Sequence, residues 1–233
     1  METLGNMLYL DWYYIVLVVP MIIISLIAQS SVKSNYRRFS KIANSKGLTG
    51  FEAAQRVLAY YGITNVRIEP VAGELSDHFD PRSNVIRLSE GVFNTASVSA
   101  VCIACHEAGH ASQHAEGYTP IKIRDSIIPV CNIGSKLGIP LALAGYVFGF
   151  EPLIIIGILL YSFVFVFQLI TLPVEFNASS RALAVIEETG MLSENEHKGA
   201  KKVLKAAAMT YVAAAATTLA NILRLILRMR RRS

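Results

Sequence analysis

The sequence predicts a mainly α membrane protein, in which the helix of an HExxH motif and a small α+β cytoplasmic subdomain pack on three to four transmembrane helices. Two observations favour this class. Hydrophobic residues make up 53% of the 233 residues, with a mean hydropathy of +0.43, which is more apolar than an ordinary soluble domain. The apolar residues also gather in four long segments, and three of these reach the roughly 20 residues that a helix needs to cross a bilayer.

The first apolar segment, residues 7–28, carries Asp11 as its only charge, and the aromatic residues at 12–14 resemble an interfacial belt. A signal peptide is not expected, because Glu2 precedes the segment and no Lys or Arg does. By the positive-inside rule, the N-terminus lies outside and residues 31–125 lie in the cytoplasm. The basic residues that decide this follow the segment at Lys33, Arg37, Arg38, Lys41 and Lys46.

The cytoplasmic part is predicted to contain a short helix and a small sheet. An amphipathic pattern predicts a helix over 51–61, with Thr49 as its N-cap. Short apolar stretches at 66–69 and 85–88 predict strands around a turn-rich stretch. The second strand, extended to 84–89, is either an ordinary sheet strand or an edge to which an extended substrate could add.

Two further apolar segments predict a transmembrane hairpin. Residues 126–150 contain Lys136 as their only charge, and residues 152–172 contain none. Glu151-Pro152 is expected to form the tight turn between them. Because the hairpin leaves the cytoplasm and returns to it, the residues that follow face the same side as residues 31–125.

The fourth apolar segment, residues 206–223, is uncharged but rich in Ala and Thr, and it follows a charged helix predicted over 194–209. Because a full crossing would place the arginines after it outside, we expect a helix that packs on the membrane helices without crossing; a fourth crossing is the alternative. These arginines are Arg224, Arg228, Arg230, Arg231 and Arg232. The two basic clusters account for a net charge of +5 and favour contact with the inner leaflet. Nucleic acid is not an expected partner, since no aromatic-basic platform accompanies them.

The expected organisation follows these segments. It comprises an N-terminal transmembrane helix (1–30), a cytoplasmic part with the HExxH helix (31–125), a transmembrane hairpin (126–172) and a C-terminal part (173–233). The sequence has no internal repeat and no low-complexity tract. All four parts are therefore expected to form one catalytic unit.

Residues 106–110 read His106-Glu107-Ala108-Gly109-His110, the HExxH pattern. On a helix, residues four apart lie one turn above each other, so both imidazoles can bind one metal ion from the same face. Glu107 would lie beside the open position of that ion, where its carboxylate can take a proton from a water. The simpler alternative is a pair of ordinary histidines beside a Glu. The apolar run before the motif weighs against it, because that run is typical of a buried helix with a polar stripe.

A third ligand has to come from outside the motif. His114 is excluded, since it lies about 12 Å along the helix from His106, whereas zinc holds an imidazole nitrogen at about 2.1 Å. The better donor is Glu175, because Pro173 is well placed to open a helix and Glu175 would project from its first turn. A carboxylate there completes a His2Glu site with one open position. From the residues alone, a role of Glu175 as a metal ligand is no more expected than a structural role, in which the helix dipole favours a Glu in the first turn.

Residues 102–106 also match CxxCH, the attachment pattern of a c-type haem. His106 cannot serve both sites, haem attachment takes place outside the cytoplasm, and a haem would leave the rest of HExxH unexplained. We therefore interpret Cys102, Cys105 and Cys131 as free thiols that pack as small apolar residues in a reducing compartment.

Taken together, these motifs resemble the YugP-type neutral zinc metallopeptidases of bacterial membranes. The layout is similar to that of HtpX and the CAAX prenyl protease, in which membrane helices also separate HExxH from a later glutamate. The resemblance covers nearly the whole chain and implies that Glu175 is the third ligand. Besides the first span, it rests on Asp77-His78-Phe79-Asp80-Pro81-Arg82, Arg87-Leu88-Ser89, HEAGHA at 106–111, Leu172-Pro173-Val174-Glu175-Phe176 and the late segment 200–211.

One position departs from the family pattern, which usually has Asp where this chain has Asn177. If that residue orients a ligand histidine, Asn177 can still accept a hydrogen bond but supplies no charge. Ligation of the metal would survive, whereas metal affinity or ligand basicity would change.

The resemblance implies a multi-pass zinc metalloendopeptidase of the bacterial cell membrane, and the charge pattern predicts an active site that faces the cytoplasm. Zn²⁺ would be held by His106, His110 and Glu175, and would polarise the scissile carbonyl. Glu107 would take the proton of the attacking water and pass it to the leaving amine. The expected partners are the lipid bilayer and a polypeptide substrate associated with the membrane.

Two points stay open in the sequence. The oxyanion of the reaction needs a donor, and each candidate also suits a structural role; the candidates are Tyr211, His197 and Arg181. The rival class of protein is a non-proteolytic zinc-containing membrane scaffold or a degenerate peptidase. The intact Glu107 weighs against that class, because a purely structural zinc site has no use for a general base.

Overall fold

A computed structural model of the chain describes residues 11–230. The fold is mainly α with one small sheet, as the sequence predicts. Its elements in chain order are a π-helical turn (Tyr14–Val18), α1 (Val19–Phe39), α2 (Gly50–Tyr60), β1 (Arg67–Val71), β2 (His78–Asp80), β3 (Val85–Ser89), α3 (Glu90–Phe93), α4 (Val98–Ala115), α5 (Thr119–Phe148), α6 (Glu151–Glu188) and α7 (Glu194–Arg230). The predicted start of the first span at residue 7, Glu2, Arg231 and Arg232 lie outside the described residues.

The chain divides into two compact units. The membrane unit comprises Met1–Ala28, Ile123–Leu172 and Thr210–Ser233, and the sheet unit comprises Gln29–Lys122 and Pro173–Met209. The long helices α1, α5, α6 and α7 each contribute residues to both units.

Four helices in the described part of the chain are long and apolar enough to cross a membrane. They are Tyr14–Phe39, Thr119–Phe148, Glu151–Glu188 and Glu194–Arg230. Their mean hydropathies over 18 residues run from 1.4 for the last to 2.7 for the third. The predicted class of three to four transmembrane helices is therefore confirmed, and by length and composition α7 qualifies as well.

Glycines set the packing of the hairpin inside the membrane unit. A Cβ at Gly134 of α5 would lie 2.3 Å from the carbonyl oxygen of Leu160, and one at Gly157 of α6 would lie 2.4 Å from the amide nitrogen of Ala142. Neither separation is possible for a real side chain, so only glycine permits α5 and α6 to approach this closely. Small residues at helix contacts are the usual means by which membrane helices gain van der Waals packing. The turn between the two helices lies at Gly149, with φ +67°, so Glu151-Pro152 begins α6 instead of forming the predicted turn.

The C-terminal part of α7 contacts the start of the first span. The Arg224 guanidinium lies 3.1 Å from the Asp11 carboxylate and that of Arg228 lies 3.3 Å from it. Nearer the middle of both helices, the hydroxyls of Ser25 and Thr217 are hydrogen-bonded at 3.0 Å. The two helices therefore run antiparallel, which brings Arg224 and Arg228 to the end where the first span begins. These contacts favour the four-crossing alternative over the expected non-crossing helix.

The sheet unit contains three strands in the order β1-β3-β2. β1 pairs with β3 in parallel, from Arg67 with Val85 to Val71 with Ser89, and β2 pairs with β3 antiparallel. The prediction that 84–89 could form an edge is wrong, because β3 has a partner on both sides. The strand β2 was missed, since three residues are too short to show a period.

Helices α2 and α4 pack together beside this sheet. A capping box holds the start of α2: Thr49 accepts a hydrogen bond from the Glu52 amide, and the Glu52 carboxylate accepts one from the Thr49 amide. The core face of α4 consists of small residues, and its N-cap Ser97 accepts from the Ala100 amide. The core formed with α4 also includes the fully buried Ile86 and Leu88 of β3. This core holds the HExxH helix in place.

Helix α6 runs without a break from the hairpin into the sheet unit. Pro173 lies inside it, so the prediction that Pro173 opens a new helix is wrong. A proline in a helix interior removes one backbone hydrogen bond and crowds the preceding turn, but long membrane helices tolerate it. Glu175 is therefore a mid-helix residue, and the helix-dipole explanation for it no longer applies.

Candidate metal centre

The three predicted ligands lie together in the sheet unit. His106 Nε2 is 3.4 Å and His110 Nε2 is 3.7 Å from the same oxygen, Oε2 of Glu175. Each of the three residues offers a ligand atom within 4.8 Å of the other two. The imidazole rings are nearly perpendicular, with centroids 4.7 Å apart. His106 and His110 come from consecutive turns of α4, and Glu175 comes from α6.

A glycine of the motif permits this approach of α4 and α6. A Cβ at Gly109 would lie 2.8 Å from the carbonyl oxygen of Ala178 and 3.4 Å from its Cα. Because the obstructing atoms are backbone, a side chain at this position would force the helices apart. Gly109 therefore sets the distance across which Glu175 reaches the histidines, a role that the sequence analysis did not assign to it.

The donor set fits zinc. Ligands held at 2.0–2.1 Å in a tetrahedral arrangement are about 3.4 Å apart, and the observed separations from Glu175 Oε2 are 3.4 and 3.7 Å. Two imidazoles and a carboxylate are also a ligand combination that zinc takes in catalytic sites. The group is buried enough to exclude most solvent, since Glu175 is 6% exposed and His110 is 9% exposed.

The local charge favours a cation. Burial by itself lowers the pKa of His110, but the hydrogen bond that His110 donates to Glu175 and the negative charges of Glu107 and Glu175 outweigh it, so this pKa is raised. A raised histidine pKa means that its surroundings stabilise positive charge at that point. A divalent ion at the same place would be stabilised for the same reason.

Glu107 is also buried, at 8% exposed. Its charge acts on Asp77, whose carboxylate accepts hydrogen bonds from the amide and hydroxyl of Ser89 at 2.7 and 3.0 Å. Burial raises the pKa of Asp77, the hydrogen bonds from Ser89 lower it, and the charge of Glu107 raises it, with a net upward shift. The Asp77–Ser89 contact ties the end of β3 to the loop that precedes β2, close to the proposed base.

A second layer of contacts orients the imidazoles. His106 Nδ1 lies 3.2 Å from the Ser179 hydroxyl, and His110 Nδ1 lies 3.0 Å from Gln113 Oε1. Asn177 does not hold this position: its Oδ1 accepts hydrogen bonds from Gln113 and Arg181. Asn177 therefore does not stand in for a charged residue as the direct partner of a ligand histidine. It acts on His110 through Gln113.

The three candidates for oxyanion stabilisation fare differently. Arg181 is held by the Glu116 carboxylate at 2.7 Å and lies over the Tyr61 and Tyr118 rings. His197 Nε2 is 3.3 Å from the Leu183 carbonyl. These contacts give both residues structural roles. The third candidate, Tyr211, belongs to the membrane unit.

The thiols of the CxxCH pattern are buried in the core. Cys102 and Cys105 are fully buried, and burial raises the pKa of both. Neither thiol is activated as a nucleophile, since a reactive cysteine needs a lowered pKa. His106 faces Glu175, so the motif contributes to the metal cluster through its histidine.

The chain was compared with known families and proteins. A family model described as "Putative neutral zinc metallopeptidase" matches residues 14–230. The chain belongs to this family. It is also 47% identical over 214 residues to "Putative membrane protease YugP" of Bacillus subtilis (strain 168), a match that covers 92% of this chain and 95% of the relative. No solved structure matches.

Family membership agrees with the structure. The family name implies zinc, and the cluster of His106, His110 and Glu175 is a group that could hold a metal ion. The relative is named as a membrane protease, and residues 11–230 of this chain include four helices long and apolar enough to cross a membrane. The chain is therefore a mainly helical membrane protein of a zinc metallopeptidase family.

Proposed function

We propose that this chain is a zinc metalloendopeptidase of the bacterial cell membrane that hydrolyses peptide bonds at the cytoplasmic face. The observation that supports the proposal most is the meeting of His106 and His110 with Glu175, which comes from a helix 65 positions later in the sequence. Two histidines with a purely structural role would not need a buried carboxylate between their Nε2 atoms. Such a carboxylate is costly when no positive charge compensates it.

His106, His110 and Glu175 would hold the zinc. When bound, zinc supplies a Lewis acid that polarises the scissile carbonyl and makes water a better nucleophile. Glu107 accepts a proton from the attacking water and later gives it to the leaving amine.

The location of the reaction follows from charge. Basic residues cluster directly after the first span, including Arg37 and Arg38 in the last turn of α1, and such residues remain in the cytoplasm. The sheet unit contains these residues together with the metal cluster. A substrate would therefore meet the site on the cytoplasmic side, and the substrate we propose is a polypeptide associated with the membrane.

The alternative function is a zinc-containing membrane scaffold without proteolytic activity. The two functions are distinguished by purifying the protein in detergent, measuring bound zinc, and following cleavage of casein or a membrane protein substrate. Glu107→Gln should keep zinc and lose cleavage. Glu187→Gln, the same change at an exposed position of α6, is the matched control and should keep both. Zinc-loaded wild type that cleaves no substrate would favour the scaffold.

A further inference from the structure

Gln113 is a buried polar side chain beside the metal cluster that makes three hydrogen bonds. It lies one turn after His110 on α4 and is fully buried. Its Oε1 faces His110 Nδ1 at 3.0 Å. Its Nε2 lies 2.9 Å from the Val174 carbonyl oxygen and 2.9 Å from Asn177 Oδ1. A buried amide whose two ends are both hydrogen-bonded in this way contributes specificity as well as stability.

The chemistry of the neighbours fixes the direction of each hydrogen bond. A backbone carbonyl such as that of Val174 can only accept, so the Gln113 amino group must face it. Arg181 Nε can only donate, and it donates to Asn177 Oδ1 at 2.8 Å, so Asn177 presents an acceptor to Gln113 as well. Both neighbours therefore require the Gln113 amino group on their side, which leaves Oε1 for His110.

This direction determines which His110 nitrogen carries a proton. Because Gln113 Oε1 can only accept, His110 Nδ1 must donate, and a neutral His110 then has its lone pair on Nε2. Nε2 is the atom that faces Glu175 at 3.7 Å. The imidazole is thus held in the tautomer that can bind a metal through Nε2.

The same amide also positions the third ligand. Val174 immediately precedes Glu175, so the hydrogen bond from Gln113 joins α4 to the α6 backbone directly beside that carboxylate. Arg181 steadies the far end of the network, since it bridges to Glu116 and also reaches the Ser112 hydroxyl at 3.3 Å.

We propose that Gln113 is a positioning residue that fixes the tautomer of His110 and the placement of Glu175 through one directed hydrogen-bond network from Arg181 to the metal site. The inference rests on the proposed function insofar as the cluster binds zinc, but it concerns metal binding and not cleavage. This role requires both ends of the Gln113 amide. Its oxygen accepts a hydrogen bond from His110, and its amino group donates to Val174 and Asn177.

The test compares three variants with wild type by their Kd for Zn²⁺, measured by chelator competition, and by the visible absorption of bound Co²⁺. Gln113→Met keeps the approximate volume and removes the network. Gln113→Glu keeps an acceptor for His110 but has no donor for Val174 or Asn177 when ionised. Ser99→Ala is the control, because Ser99 is equally buried on α4 but hydrogen-bonds to Ser97 and not to any member of this network.

Both Gln113 variants should raise the Kd by about 10–100-fold, the usual effect of losing a residue that orients a metal ligand, and should shift the Co²⁺ spectrum. Ser99→Ala should change neither. A Gln113→Glu protein that binds zinc as tightly as wild type would overturn the inference, because an acceptor alone would then suffice. Metal-binding wild type without peptidase activity would remove the proposed function and leave this inference standing, whereas wild type that binds neither ion would overturn both.

Discussion

Gly109→Ala is the smallest change that should disturb the metal centre without touching a ligand. The new Cβ would meet the Ala178 carbonyl oxygen at 2.8 Å, where ordinary contact begins near 3.4 Å. Relief by moving the two helices apart requires about 0.6 Å, and metal sites tolerate about 0.2 Å in their ligand distances. The shift would therefore carry Glu175 out of reach of a geometry that holds zinc well.

Stability should change much less than zinc binding. Overpacking typically costs about 1–3 kcal/mol, whereas Ala in place of Gly in a helix gains about 1 kcal/mol. The free energy of unfolding should thus fall by roughly 0–2 kcal/mol. We expect the Kd for zinc to rise by at least about 10-fold, the lower end of the effect seen when a ligand is poorly held.

The assay is chelator competition on purified protein, with a thermal melt of each variant. Gly199→Ala is the control, since it makes the same change in a helix of the same unit but meets the Phe39 ring and no residue of the metal cluster. If Gly109→Ala binds zinc like wild type, the approach of α4 and α6 does not set the site, and the reasoning from Gly109 is refuted.

Four further outcomes are expected. Purified wild type should carry close to one zinc per chain, and both His110→Ala and Glu175→Ala should lose most of it; equal zinc content in Glu175→Ala and wild type would place the third ligand elsewhere. Glu107→Gln should keep zinc while its rate of hydrolysis falls by about 100-fold or more, the scale of a general base. A chelator should abolish cleavage and added zinc should restore it; cleavage that ignores chelators would contradict a metal mechanism. Alkaline phosphatase fused after Ser233 should be active in bacteria, because α7 runs antiparallel to the first span; an inactive fusion, with a fluorescent cytosolic reporter at the same position, would support three crossings.

The sequence was most informative where function depends on local spacing. His106 and His110 are four residues apart on one helix, so their shared face follows from helix geometry alone. Glu175 is different, because its contact with them depends on how α4 and α6 pack, and no local pattern contains that information. The family resemblance indicated it, and the structure brings the three side chains together.

Other features were missed for physical reasons. Pro173 is equally suited to the first turn of a helix and to a tolerated interior position in a membrane helix, so the local sequence could not decide between a new helix and a continuous one. Two orienting residues did leave a signal: Gln113 is three positions after His110 and Ser179 is four after Glu175, so each lies on the same helix face as a ligand. A search of those faces for polar residues would have found both.

The C-terminal arginines show where a rule based on charge counts reaches its limit. The positive-inside rule counts Lys and Arg near the ends of spans, whereas the cost of moving an arginine across a membrane depends on what it meets on the other side. Arg224 meets the Asp11 carboxylate and the Tyr14 ring, and Arg228 meets the same carboxylate and the Tyr146 ring. Asp11, the only charge in the first apolar segment, thereby gains two partners of opposite charge, so Asp11 and these two arginines lower one another's cost within the membrane unit.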